Sequence, residues 1–313
     1  MANFMDLLHN ELSVRIDPRG WKVRKEVQAG PDGGASGHGV VILLLHGYAN
    51  TLQDARNSYG TFEGHYKEKE PESARVNLPD TFRFYWPGDS KLFKPLYHAS
   101  YPTEIRPARK TAKMLEKYLR GLSPPPAGVT DVFLIGHSLG NRVVLELVNR
   151  FLGGKKKESL QFKGILMMAA AVPVAKVRNG GKLHDAAKKP GKRWVLHSQS
   201  DLALKRGFPW GEIAGFDAAP WPWDWPEAVG RYGNPSDNWT FNRAMFQQDG
   251  KGYGHSDYWP GMEVPPLVAG FLGRIGPNEI FEAVIPANTI GAAPAPASAE
   301  IGTRETPSRP AFG

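Results

Sequence analysis

The pentapeptide Gly136-His137-Ser138-Leu139-Gly140 constrains this chain more than any other stretch. It follows the apolar run Asp131–Ile135 (DVFLI). It precedes Asn141–Phe151, whose Val143, Leu147 and Phe151 recur on one helical stripe. A strand, a tight turn and a helix in that order place Ser138 at the apex of a sharp, strained reversal. Side chains two positions either side of the serine would strike backbone, and both positions are glycine. Gly153 and Gly154 lie past the end of the helix, where glycine commonly terminates one.

The rest of the chain repeats the alternation of buried runs and helices. Val40–Leu45 (VVILLL) is a continuous apolar run bounded by glycine, the pattern of a parallel strand covered on both faces. Phe82–Trp86 is a strand ended by Pro87-Gly88. Gly164–Val172, Arg193–His197 and Trp239–Phe246 read as further strands, the last closing the sheet. Tyr101–Leu122 reads as a helix through Ala108, Ala112, Leu115 and Leu119, stopped by Pro124-Pro125-Pro126. Within residues 1–30, Trp21, Val23 and Val27 near alternate positions predict one or two opening strands. Pro31–Gly39 (PDGGASGHG) reads as a hairpin-type loop. The expected fold class is α/β, a mostly parallel central sheet with helices on both faces. One domain is expected over about residues 1–285, followed by an Ala/Pro/Ser-rich segment 286–313 with the composition of a disordered tail.

Composition excludes several chemistries. The 313 residues contain no cysteine, so a thiolate metal site, a cysteine nucleophile and a disulfide framework are all ruled out. No HExxH or comparable ligand cluster occurs, and neither a metal nor a cofactor is expected. Gly250, Gly252 and Gly254 alternate without a helix opening after them, so a dinucleotide loop is not supported, and no phosphate-loop motif is present. The net charge of +8 finds no nucleic-acid motif beside it and reads as a solvated basic surface. Met1–Asn10 lacks a signal-peptide pattern, and the longest apolar run is too short to span a membrane. The expectation is a cytoplasmic protein with no stable membrane insertion, no nucleic-acid partner and a small-molecule substrate. Oligomeric state is not readable.

A serine on such an elbow needs a base and an acid that orients it, and on this arrangement they follow in the order acid, then histidine. Three histidines remain after Ser138. His197 ends an apolar strand and reads as a core residue, and His184 precedes any suitable acid. His255, in Gly252-Tyr253-Gly254-His255, is the expected base. Asp201 follows the strand Arg193–His197 by a short turn and is the expected acid, with Asp217 and Asp224 as alternatives. Asp257 reads as a local loop residue. An oxyanion needs two donors: the backbone N–H of Leu139 at the helix start, and that of Tyr48 in the turn His46-Gly47-Tyr48-Ala49. His46 reads as a structural residue of that turn, and His137 as a packed neighbour that also borders the substrate.

The stretches LLLHGYANTLQDA, FYWPGD, IGHSLGNRVV, HSQSDLALK and GYGHSDYW together resemble the α/β-hydrolase superfamily, and within it a bacterial esterase/lipase-like branch. The resemblance covers about residues 38–275. It rests on Asn50, Asp54, Ala55, Trp86, Pro87, Asn141, Asp201, Ala203, Leu204, Gly254 and Tyr258. It implies an eight-strand-type sheet with a Ser138–Asp201–His255 triad, which makes the domain expected over 1–285 the catalytic one. It names no substrate. Where many members carry a large helical cap, only Pro173–Lys192 is available here, so the cap is expected to be minimal.

A long insertion, residues 202–238, carries Trp210, Trp221, Trp223 and Trp225 between prolines. These are candidate substrate-contacting residues, together with Tyr48 and His137; equally, the tryptophans could simply pack on the sheet edge. The functional expectation is a serine hydrolase that cleaves short to medium carboxylic esters through an acyl-enzyme on Ser138. The same triad would also serve a thioesterase, amidase, acyltransferase or peptidase, or stand idle in a low-turnover binding protein.

Overall fold

The computed structural model describes residues 10–15, 23–30, 34–48, 50–69, 81–88, 97–126, 128–153, 159–209, 227–232 and 252–274. Among these, seven strands form one sheet: β1 (Glu11–Arg15), β2 (Val23–Ala29), β3 (Val40–Leu45), β4 (Thr81–Tyr85), β5 (Thr130–His137), β6 (Leu160–Met168) and β7 (Lys192–Leu196). Their order across the sheet is β2-β1-β4-β3-β5-β6-β7. Only β1 and β2 pair antiparallel; every other neighbouring pair is parallel. The expected last strand, Trp239–Phe246, the tail 286–313 and the four insertion tryptophans lie outside the described residues.

The opening segment corrects one expectation. Residues 31–39 do not close a hairpin, because β2 lies at the sheet edge while β3 lies at its centre between β4 and β5. Among the described strands, the antiparallel pair is β1 with β2.

The helices are α1 (Leu52–Lys69), α2 (Tyr97–Arg120), α3 (Gly140–Leu152), the short α4 (Val174–Val177), α5 (His184–Lys188) and α6 (Val229–Tyr232), and α7 (Val264–Leu272). A π-helical turn runs from Ala203 to Gly207. Helices α1 and α7 pack together, and α2, α3 and α5 form a second group, so the sheet is layered on both faces. Helix α1 begins with a capping box. The Thr51 N–H and hydroxyl donate to Asp54 at 3.0 and 2.6 Å, and the Asp54 N–H donates back to the Thr51 hydroxyl at 3.1 Å. Its Leu52, Ala55, Tyr59, Phe62 and Tyr66, three or four apart, are the buried stripe. Helix α7 starts with Pro265-Pro266, tolerated in the first turn, and ends at Gly273, whose φ of +76° supplies the left-handed cap. No helix among the described residues is long and apolar enough to cross a membrane.

The sheet register sets up the site. Leu45 pairs with Gly136, His137 with Met168, and Met168 with Leu196. The loops leaving β3, β5 and β7 therefore emerge side by side at the carboxyl edge, where open parallel sheets bind ligands. The small slot between β6 and β7 holds only α4 and α5, as expected of a minimal cap.

Candidate active site

The elbow after β5 is built by local sterics. Ser138 has φ of +51°, a left-handed backbone that costs a non-glycine residue roughly 1–2 kcal/mol. A Cβ on Gly136 would stand 2.4 Å from Asn141 Oδ1, and one on Gly140 would stand 2.4 Å from the His46 carbonyl oxygen. Neither position can carry a side chain without displacing its neighbour. The strained residue is held by its own backbone. The Ser138 N–H donates to Met168 O at 2.9 Å, and Ser138 O accepts from the N–H of Asn141 at 3.1 Å and of Ala171 at 3.2 Å. The fully buried Asn141 side chain adds donations to Ser138 O at 3.1 Å and Met168 O at 3.0 Å. At about 1 kcal/mol net each, these bonds outweigh the backbone strain.

Three of the expected residues meet here. The Ser138 hydroxyl oxygen lies 2.7 Å from His255 Nε2, and His255 Nδ1 lies 2.8 Å from Asp201 Oδ2. Asp201 is fully buried, whereas the His255 side chain is 24% exposed. The second Asp201 oxygen accepts the Leu204 N–H at 2.9 Å, so one carboxylate both caps the π-helical turn and orients the imidazole. Arg231 donates to the carbonyl of Asp201 at 3.4 Å and to that of Gln199, pinning the acid's loop. Asp257 stays local, accepting the Gly254 N–H at 2.6 Å. Asp217 and Asp224 lie outside the described residues.

The other histidines divide as the sequence suggested. His197 is buried just past β7. His46 is buried and stacks on Trp86 with ring centroids 5.7 Å apart. Its Nδ1 lies 2.8 Å from Gly47 O and its Nε2 accepts the Trp86 N–H at 3.2 Å. Burial, reinforced by the Arg15 cation, holds it well below the usual imidazole range. His137 donates from Nε2 to the His255 carbonyl at 2.7 Å and so clamps the histidine loop over the elbow. Burial, and then the neighbouring His255, push its pKa down to about 3, so it stays neutral.

A cavity of about 330 Å³ opens on Ser138 and His255, small for a ligand pocket. Tyr48, Asn50, Ser58, Ala171, Ala203, Leu204, Gly207 and Phe208 belong to its lining. His137, Ser256 and Trp259 complete it. Tyr48 and His137 border this cavity, and Leu139 is buried at the start of α3. The loop carrying Tyr48 passes against Ser138: a Cβ on Gly47 would lie 2.7 Å from Ser138 Cβ. The insertion reaches the site through its first residues, Ala203 to Phe208; Trp210, Trp221, Trp223 and Trp225 lie outside the described residues.

Trp259, Phe208 and Ser58 were not among the expected site residues. Trp259 is 4% exposed and meets Tyr59 and Phe62 of α1 edge-on at 5.1 and 5.4 Å. Its signal was its place four residues after His255. Ser58 sits on α1, a helix not read from the sequence.

The parallel sheet, the strained serine on a strand–helix elbow and the adjoining histidine and carboxylate define an α/β hydrolase. The sequence model of the family described as "Alpha/beta hydrolase of unknown function (DUF900)" matches residues 34–208, more than half of the chain, and the protein belongs to that family. No curated protein matches the chain. Among solved structures, the chain is similar to an Agrobacterium vitis S4 protein described as a hydrolase, with 12% identity, a TM-score of 0.40 and coverage of 76% of this chain and 90% of that one. It is also similar to phospholipase PlaB from Legionella pneumophila, at 15% identity, a TM-score of 0.25 and coverage of 49% and 31%. A third is an extracellular alpha/beta-hydrolase from a Paenibacillus species, at 13% identity, a TM-score of 0.31 and coverage of 76% and 99%.

Proposed function

We propose that this protein is a serine hydrolase that cleaves neutral carboxylic esters with short to medium acyl groups. The observation that carries the reading is the continuous hydrogen-bonded line from Ser138 Oγ through His255 to Asp201, with steps of 2.7 and 2.8 Å. In it, His255 Nε2 accepts the Ser138 proton as the oxygen attacks the ester carbonyl. Asp201 receives Nδ1–H, fixes the tautomer and stabilises the imidazolium. The backbone N–H groups of Tyr48 and Leu139 take the developing oxyanion, the second at the positive end of α3. His255 returns the proton to the departing alcohol, leaving an acyl-enzyme that water resolves by the same steps.

The cavity supports the substrate class. Its described lining carries no Asp, Glu, Lys or Arg, and His137 in it is held neutral. Ala171, Ala203, Leu204 and Phe208 in the lining suit an apolar chain, and the cavity's volume favours a modest one. A panel of p-nitrophenyl esters from acetyl to palmitoyl tests this. The expected result is a maximum in kcat/KM at short to medium chains, and a fall of about 10⁴-fold or more in Ser138→Ala. Faster turnover of matched thioesters or amides would replace the ester assignment.

A further inference from the structure

We infer that Arg15, at the end of β1, is a positioning residue that holds the oxyanion-side loop 46–50 against Ser138; the inference rests on the ester-hydrolase reading above. Strand β1 carries Glu11, Ser13 and Arg15 on one face and Leu12 and Val14 on the other, and all five are buried. The pattern would ordinarily mark a half-solvated strand, so the polar face must be satisfied from within. Glu11 accepts from Arg56 Nε and Nη2 at 3.0 and 2.6 Å and from the Tyr85 hydroxyl at 2.8 Å. Arg15 instead reaches two backbone carbonyls, donating from Nε to Trp86 O at 2.7 Å and from Nη2 to Asn50 O at 2.8 Å.

Both carbonyls lead into the loop that carries Tyr48. Asn50 donates through its side-chain amide to Tyr48 O at 3.2 Å. Trp86 donates from its indole to His46 O at 2.8 Å and from its backbone to His46 Nε2. The guanidinium thus anchors both ends of the segment His46–Asn50 to the end of β4. Hydrogen bonds from a cation are stronger than neutral ones, and a buried cation is costly unless it makes them. Its charge also disfavours protonation of His46, whose neutral form must keep a lone pair for the Trp86 N–H. A register shift in the β1–β2 pairing between Ser13 and Arg15 accompanies this, and such bulges re-aim side chains beside active sites. Gly47 already runs so close to Ser138 that movement of the loop alters the donor position directly.

The inference separates binding from transition-state stabilisation. In Arg15→Met, about the same length but without donors, kcat is expected to fall about 100-fold with KM within about threefold. Affinity for a trifluoromethyl ketone, whose adduct places an oxyanion in the hole, should fall in proportion to kcat. The acid limb of the pH–rate profile should not move, since His255 and Asp201 are untouched. Arg15→Lys should recover part of the loss, because an ammonium can serve one carbonyl but not both. If Arg15→Met fails to fold, Arg15→Lys carries the test with the same readouts. A kcat within about threefold of the parent, or a rise in KM at constant kcat, overturns the role of Arg15. A parent protein that a fluorophosphonate does not label at Ser138 overturns both this inference and the hydrolase reading. A labelled, ester-cleaving parent with indifferent variants overturns only this one.

Discussion

The elbow after β5 and the support beneath the loop after β3 lie side by side at the carboxyl edge of the sheet and serve the same site, yet they are built in opposite ways. The elbow's signature is local: Gly136, Ser138, Gly140 and Asn141 lie within six consecutive residues, with Gly136 kept bare by Asn141 and Gly140 by the His46 carbonyl. The loop support is assembled at long range. Arg15 meets Asn50 across 35 residues and Trp86 across 71, and Trp86 meets His46 across 40. The first stores strain and depends on missing side chains. The second neutralises buried polar groups and depends on side chains that are present. A strained turn is broken by adding an atom, whereas a buried polar frame is broken by removing one.

That difference can be probed from the strongest effect downward. Asp201→Asn, which keeps the shape but reverses the polarity at His255 Nδ1, should lower kcat about 10³-fold or more with the fold intact. Near-full activity would hand the acid's role to Asp217 or Asp224. Glu11→Ala leaves Arg56 and Tyr85 without their shared buried carboxylate and should cost about 3 kcal/mol in chemical denaturation. The folded fraction should keep its kcat, because the Glu11 carboxylate holds Arg56 and Tyr85, which belong to the frame; a large loss of kcat would erase the distinction between frame and catalytic support. Gly136→Ala must push Asn141 off Ser138 and Met168, and should cost about 1–3 kcal/mol together with a drop in kcat. An alanine there with parental activity and stability would mean that the elbow is not sterically determined.

The most gradual effect is with pH. The unfolded chain protonates His137 near the ordinary 6.5, whereas the folded chain holds it neutral down to about 3. Between those values the unfolded state binds more protons, so this contribution is complete above 6.5 and is lost progressively as pH falls toward 3. His46 acts in the same direction. Melting temperature should fall over this window, and His137→Asn should flatten the slope.

Legibility from sequence follows the same division. The elbow and its flanking strand and helix are legible because their signature, the glycines either side of Ser138 between an apolar run and a helical stripe, lies within one short segment. Asp201 and His255 could be chosen because strand ends rank the candidates in chain order. Helix α1 is hard to read from sequence although Thr51–Asp54 is a capping box and its buried positions recur at three and four, since those positions are mostly aromatic and set among polar residues. Helix α7 is apolar all round, so it has no periodicity to read. The residues 31–39 look like a hairpin because turn chemistry is local, while the choice of β-strand partner is not. The alternation Glu11-Leu12-Ser13-Val14-Arg15 is strand-like, but nothing in it says that the polar face is buried under α1. That requires Arg56, Asn50 and Trp86, which only the fold brings together.

The central claim is that Ser138 is a nucleophile activated by His255. Mass spectrometry of the intact protein after exposure to a fluorophosphonate tests it most directly. One adduct per chain, mapped to the peptide containing Ser138 and lost in both Ser138→Ala and His255→Ala, is the expected result. No adduct on the folded protein, or an adduct that persists in Ser138→Ala, would contradict it.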